Sequence, residues 1–107
     1  MNDSKTARLV WEALPIESEG NRWGEEIYFS VPVKSVAEPG AGEVVEEGDL
    51  AYWPPGKAFC IFFGPTPVSR ENEVRAASAG NVIGKVIGDP KVFRKVTDGA
   101  SIRIEKA

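Results

Sequence analysis

The stretch Leu50-Ala51-Tyr52-Trp53-Pro54-Pro55-Gly56-Lys57-Ala58-Phe59-Cys60-Ile61-Phe62-Phe63 decides the fold class. Two apolar runs of strand length flank a Pro-Pro-Gly-Lys turn, which is the pattern of a β-hairpin. Leu50 to Trp53 forms the first strand and Ala58 to Phe63 the second. Pro55 suits the second position of a type II turn, and Gly56 supplies the positive φ that the third demands. Successive side chains on a strand point to opposite faces, so Phe59, Ile61 and Phe63 face one way and Ala58, Cys60 and Phe62 the other. Both faces are apolar, and a sheet with one wet face does not need that. The second face therefore requires a cover. The N-terminal helix is one candidate; a ligand in an apolar groove walled by Tyr52, Trp53 and Phe62 is the other.

Upstream of the hairpin, Thr6 to Leu14 is rich in helix formers, with Leu9, Val10 and Leu14 on one face and Ala13 beside them. Ser4 or Asp3 can cap its start, and Pro15, which has no N–H for the ladder, ends it. Trp11 lies to one side of the stripe and is placed to anchor the helix on a sheet. Ile16 to Gly24 reads as a polar connection. Glu26 to Val33 alternates, with Ile27, Phe29, Val31 and Val33 against Glu26, Tyr28, Ser30 and Pro32, and so reads as a strand with one apolar face. Pro32 marks an edge or an end, because proline cannot donate to a ladder. Glu38 to Asp49 is acidic and turn-rich, with Val44 and Val45 able to add a short pairing segment.

Downstream, Pro65 to Asn81 reads as a polar connection of 17 residues, long enough to imply a functional or mobile loop. Val82 to Ile87 reads as a strand interrupted by Gly84. Asp89-Pro90 starts a short helical turn through Lys95, since proline suits the first helical position. Asp98-Gly99 marks a turn, and Ser101 to Glu105 a last strand. One helix followed by five to seven short strands predicts a mostly β chain, closed or nearly closed as a barrel, rather than a βαβ sheet.

Composition bounds the function. The chain has 107 residues, 42% of them apolar, which suits one domain with one core. The net charge of −3 provides no general attraction to nucleic acid or anionic membranes. No run approaches the ~20 apolar residues of a membrane helix, and Met1 to Lys5 lacks the apolar stretch of a signal peptide. The single cysteine, Cys60, excludes an internal disulfide and fits a reducing compartment, so a cytoplasmic location is expected.

The chain contains no histidine. This rules out Ser-His-Asp and Cys-His catalysis and His-containing zinc sites, and one cysteine rules out multi-cysteine zinc. No metal and no cofactor is implied. Cys60 reads as a buried small hydrophobe, because an apolar setting raises a thiol pKa and no histidine can activate it. Glu43, Glu46, Glu47 and Asp49 read as a solvated acidic face whose spacing does not match a calcium loop. Arg70 and Arg75, beside Glu71 and Glu73, form local ion pairs or, alternatively, arm a lid for an anionic ligand. Arg22 next to Trp23 sits in an ordered loop or clamps a ligand by stacking.

Four segments together resemble a known family. They are Glu12-Ala13-Leu14-Pro15; Asn21-Arg22-Trp23-Gly24-Glu25-Glu26-Ile27-Tyr28-Phe29; Gly48-Asp49-Leu50-Ala51-Tyr52-Trp53-Pro54-Pro55-Gly56-Lys57-Ala58-Phe59-Cys60-Ile61-Phe62-Phe63-Gly64-Pro65-Thr66-Pro67; and Asn81-Val82-Ile83-Gly84-Lys85-Val86. They are similar to the cyclophilin-like domain family of small bacterial and archaeal proteins of uncharacterised function. The resemblance spans nearly the whole chain. It implies one cyclophilin-like β-barrel over residues 1–107, with one N-terminal helix and a short C-terminal helical turn. Family members carry a strand or two before the helix, whereas Met1 to Ala7 resembles the stretch that follows them. The resemblance thus implies a missing first strand or strands and an exposed barrel edge, which invites a homo-oligomer.

The arginine-histidine motif of catalytic cyclophilins is absent, so no catalytic residue transfers. The leading expectation is a domain that binds a peptide or small molecule in an apolar groove without covalent chemistry. The ligand-binding candidates are Arg22, Tyr52, Trp53, Phe62, Arg70 and Arg75. A weak peptidyl-prolyl cis-trans isomerase is the first alternative, with Arg22, Arg70 or Arg75 as donor to the proline nitrogen. A structural or oligomer-forming protein is the second. Nucleic acid and membranes are not expected as partners.

Overall fold

The computed structural model of the chain describes residues 2, 4–70 and 73–106. Asp3, the alternative helix cap, and Glu71, an expected ion-pair partner, lie outside the described residues. The hairpin forms as read. Strand β5 (Asp49–Trp53) pairs antiparallel with β6 (Ala58–Phe62) in the register Leu50↔Ile61, Ala51↔Cys60, Tyr52↔Phe59, Trp53↔Ala58. The turn between them differs from the expected type II. Pro54–Gly56 makes a single 3₁₀ turn, and Lys57, not Gly56, takes the left-handed conformation at φ 47°. Gly56 is needed for another reason: a Cβ there would lie 2.8 Å from the Trp53 ring, which packs over the turn.

On its other side β6 pairs with β3 (Glu26–Ser30), and β5 pairs with β7 (Val74–Lys85). With β2 (Asn21–Arg22) and β4 (Gly42–Val45) at the ends, one six-stranded sheet runs β2-β3-β6-β5-β7-β4. The expected polar connection at Ile16 to Gly24 is in fact β1 (Ile16–Glu19) followed by β2. Strand β1 pairs with β8 (Ser101–Ile104) in a separate two-stranded ribbon, Ile16 opposite Ile104. The ribbon and the sheet do not close on each other, so the expected barrel is an open one. The long polar connection at Pro65 to Asn81 also needs correction. From Val74 onward it is strand, and β7 is the longest strand among the described residues. Its first half, Val74 to Gly80, pairs with β4, and its second half, Asn81 to Lys85, with β5.

Helix α1 (Lys5–Ala13) starts at Ser4, whose hydroxyl accepts from the Ala7 N–H at 3.2 Å. It buries Thr6, Ala7 and Val10. Trp11 does not anchor the helix; it is 43% exposed, and the Lys106 ammonium sits 5.6 Å from its ring centroid. The short C-terminal helical turn is a 3₁₀ segment, Pro90–Lys95, capped by Asp89.

Alternation along β5 and β6 divides the apolar residues into two cores. Tyr52, Phe59 and Phe63 join Ile27, Phe29 and Ile83 under Ala7 and Val10 of α1 and Leu14 just after it. Phe29 and Phe59 stack there with centroids 5.2 Å apart. Ala51, Ala58, Cys60 and Phe62 face the opposite way, against Val45 of β4 and Val74 and Ala76 of β7. The hairpin thus has two covers: α1 over the Phe59 face and, over the second face, the arm formed by β4 and the first half of β7 in place of the expected helix or ligand. Among the described residues, no helix is long and apolar enough to cross a membrane.

Candidate functional site

The β7 half of the arm is Val74-Arg75-Ala76-Ala77-Ser78-Ala79-Gly80, and the residues it brings to the lining, Ala76, Ala77 and Gly80, are too small to fill the space above β6. A cavity of about 160 Å³ remains. Its floor is Glu26 and Tyr28 of β3, Cys60 and Phe62 of β6, and Ala51 and Trp53 of β5. Its walls are Trp23, from the β2–β3 turn, and Val45, Ala76, Ala77 and Gly80 of the arm. The lining follows from register. Glu26 lies opposite Phe62, Tyr28 opposite Cys60 and Ala51 opposite Cys60, so these side chains share one face.

The rings are held in place. The Trp53 indole N–H donates to the Ser78 hydroxyl at 2.6 Å, tying β5 to the arm. The Trp23 N–H donates to the Glu26 carbonyl at 3.0 Å and the Glu26 N–H returns to the Trp23 carbonyl at 3.2 Å, which closes the turn and sets Trp23 beside Glu26.

Glu26 is the one charged residue in the lining and is only 5% exposed. Burial among apolar groups pushes its carboxyl up to about 7, partly opposed by the Cys60 thiol, which donates toward it. The Cys60 thiol is raised well above its ordinary value, first by burial and then by the adjacent Glu26 charge, so it stays protonated and is no nucleophile. A cavity with aromatic walls and one poorly solvated acid can hold an apolar group and address one polar or charged atom on it.

Of the residues expected to bind a ligand, Trp53 and Phe62 line the cavity. Tyr52 faces the helix side, fully buried, donating its hydroxyl to the Val33 carbonyl at 2.6 Å and accepting from the Ser35 N–H at 3.2 Å. Arg22 turns away from the cavity while its neighbour Trp23 turns in. Its guanidinium lies 5.0 Å from the Phe63 ring centroid and donates to the carbonyls of Gly24, Arg94 and Val96. Arg75 forks onto Glu73 at 2.7 and 3.2 Å, and Arg70 is exposed in the loop before β7; neither lines the cavity. The acidic face is paired: Glu46 and Asp49 with Lys85, at 2.7 and 3.3 Å, and Glu47 with Lys91.

The residues that sequence reasoning missed are Glu26, Tyr28 and the small residues of the arm. Alternation places Glu26 and Tyr28 on the face opposite Ile27 and Phe29, which reads as wet until the arm is known to cover it. A hint was present: that same face of β6 carries Ala58, Cys60 and Phe62.

An open β-sheet domain, with a helix on one face and a half-enclosed apolar cavity on the other, is the class that fold and site define. The family model of cyclophilin-like proteins matches residues 1–105, and the chain belongs to that family. It is similar to the hypothetical protein AF2241 from Archaeoglobus fulgidus, whose solution structure superposes with a TM-score of 0.80. The two are 48% identical over 96% of this chain and 78% of the archaeal one. No curated protein matches the sequence.

Proposed function

We propose that this chain is a binding domain that encloses an apolar group of a small molecule, or of a peptide side chain, without covalent chemistry. The cavity between β6 and the arm carries this reading, because preformed concave sites with aromatic walls and few polar groups are what ligand pockets share. The chemistry of the lining supports it: the thiol is protonated, and no described histidine or cation stands beside the acid to make a nucleophile or base pair. The prolyl isomerase alternative needs a donor aimed at the ligand, and Arg22, Arg70 and Arg75 all lie outside the lining. The buried free thiol accords with a reducing, cytoplasmic setting.

The test is a small-molecule and peptide screen read by amide and indole N–H resonances. Binders are expected to move the Trp23 and Trp53 indole signals together. Ala77→Phe, at an exposed position of the rim, should abolish those shifts while leaving the fold intact. Binders that move only resonances away from the cavity would overturn the reading. Proline-peptide isomerisation should run at its uncatalysed rate; catalysis lost on changing Arg22, Arg70 or Arg75 would favour the isomerase instead.

A further inference from the structure

The cavity sets three electron-rich rings and one acid around the same space. Trp23 comes from the β2–β3 turn, Tyr28 and Glu26 from β3, and Trp53 from β5, and all four line the one cavity. The face of an aromatic ring attracts a cation, tryptophan most strongly, and several rings around a desolvated site recognise substituted ammonium groups. A buried carboxylate is costly without a partner. Several described cations are paired with other acids: Arg75 with Glu73, Lys85 with Glu46, Lys91 with Glu47, Arg94 with Glu25. None lines the cavity. The site is therefore complementary in charge to a ligand that brings its own positive charge and has an apolar skin.

We propose that the cavity binds a small alkylammonium cation, ringed by Trp23, Tyr28 and Trp53, with the Glu26 carboxylate as counter-charge. This rests on the cavity being a ligand site, as argued above. Among the described residues, the titratable groups that share the lining with Glu26 are Tyr28 on its own strand and Cys60 on β6; β4, β5 and β7 bring only Val45, Ala51, Trp53, Ala76, Ala77 and Gly80 to it. Glu26 alone therefore governs the pH response. With its carboxyl near 7, the cation-binding form predominates above that pH and is depleted below it.

The experiment titrates the full chain with choline and with its uncharged carbon isostere, following the Trp23 and Trp53 indole signals at about pH 8 and about pH 6. Choline is expected to bind at the higher pH at least about tenfold more tightly than the isostere. Its affinity should fall about tenfold at the lower pH, as the carboxylate takes up a proton. Glu26→Gln should weaken choline about tenfold at the higher pH and remove the pH dependence. Equal binding of the two compounds, with both moving the indole signals, would overturn the cation assignment and leave the ligand site standing. Silence of both indoles toward both compounds would overturn the cation assignment outright, and the broader screen would then decide the fate of the cavity. Should Glu26→Gln fail to fold, the pH response of the unaltered protein still decides the point.

Discussion

Glu26 couples the site to the stability of the fold. Its carboxyl sits near 7 in the folded chain against an ordinary 4.5. Between those values the folded state holds a proton that the unfolded state releases. The stability contributed by protonated Glu26 is therefore fully present below about 4.5 and lost as pH rises through about 7. Glu26→Gln removes that loss. In urea unfolding at about pH 8 the variant should exceed the unaltered protein by up to about 3 kcal/mol, and by under about 1 kcal/mol at about pH 5. A variant no more stable at the higher pH would contradict the burial of this charge.

Tyr52 makes the complementary point. A tyrosine beside a tryptophan in an apolar hairpin looks like part of a ligand wall, yet its hydroxyl is spent on the Val33 carbonyl and the Ser35 N–H. Tyr52→Phe leaves both groups short of a partner and should cost about 1–3 kcal/mol in denaturant unfolding. The Trp23 and Trp53 indole signals should stay where they are, because Tyr52 is on the other face.

At the scale of elements, the informative differences lie where pairing overrides composition. Strand β7 begins in a run of Ala, Ser and Gly that offers no apolar periodicity and weak strand propensity. It is extended because β4 and β5 pair with it in succession. The same small residues leave the cavity open, so the feature that hid the strand also made the site. Strand β1 was hidden similarly: Ile16-Glu17-Ser18-Glu19 has one large apolar residue, and its partner β8 lies some eighty-five residues away. Where periodicity is strong, as in α1, β3 and the hairpin, the elements were legible from the chain. The turn between β5 and β6 is testable at this scale. Gly56→Ala places a Cβ against the Trp53 ring, so it should cost about 1–2 kcal/mol and shift the Trp53 indole signal, with Trp23 much less affected.

For the whole molecule, the open edges bear on self-association. An exposed strand edge invites pairing with a second copy. Here the end strand β2 has only two residues, and β4 carries Glu43 and a register shift between Gly42 and Val44. Short edges, charges and bulges all discourage edge pairing. Sedimentation at micromolar concentration should therefore give the mass of a single chain, 11.6 kDa. A dimer dispersed by Val44→Pro would show that β4 pairs despite these features.

The amino-acid order by itself determined the helix, the hairpin, the family and the absence of histidine chemistry, because each is a local pattern or a count. It also determined that the hairpin's second face needed a cover. Only the tertiary structure decided what that cover is. Whether Glu26 is wet or buried, whether Tyr52 or Tyr28 meets the cavity, and whether Ala76 and Gly80 belong to a loop or a wall all depend on contacts between segments distant in sequence. Alternation assigns each side chain to a face, and only the packing of the β4–β7 arm turned one of those faces into a site.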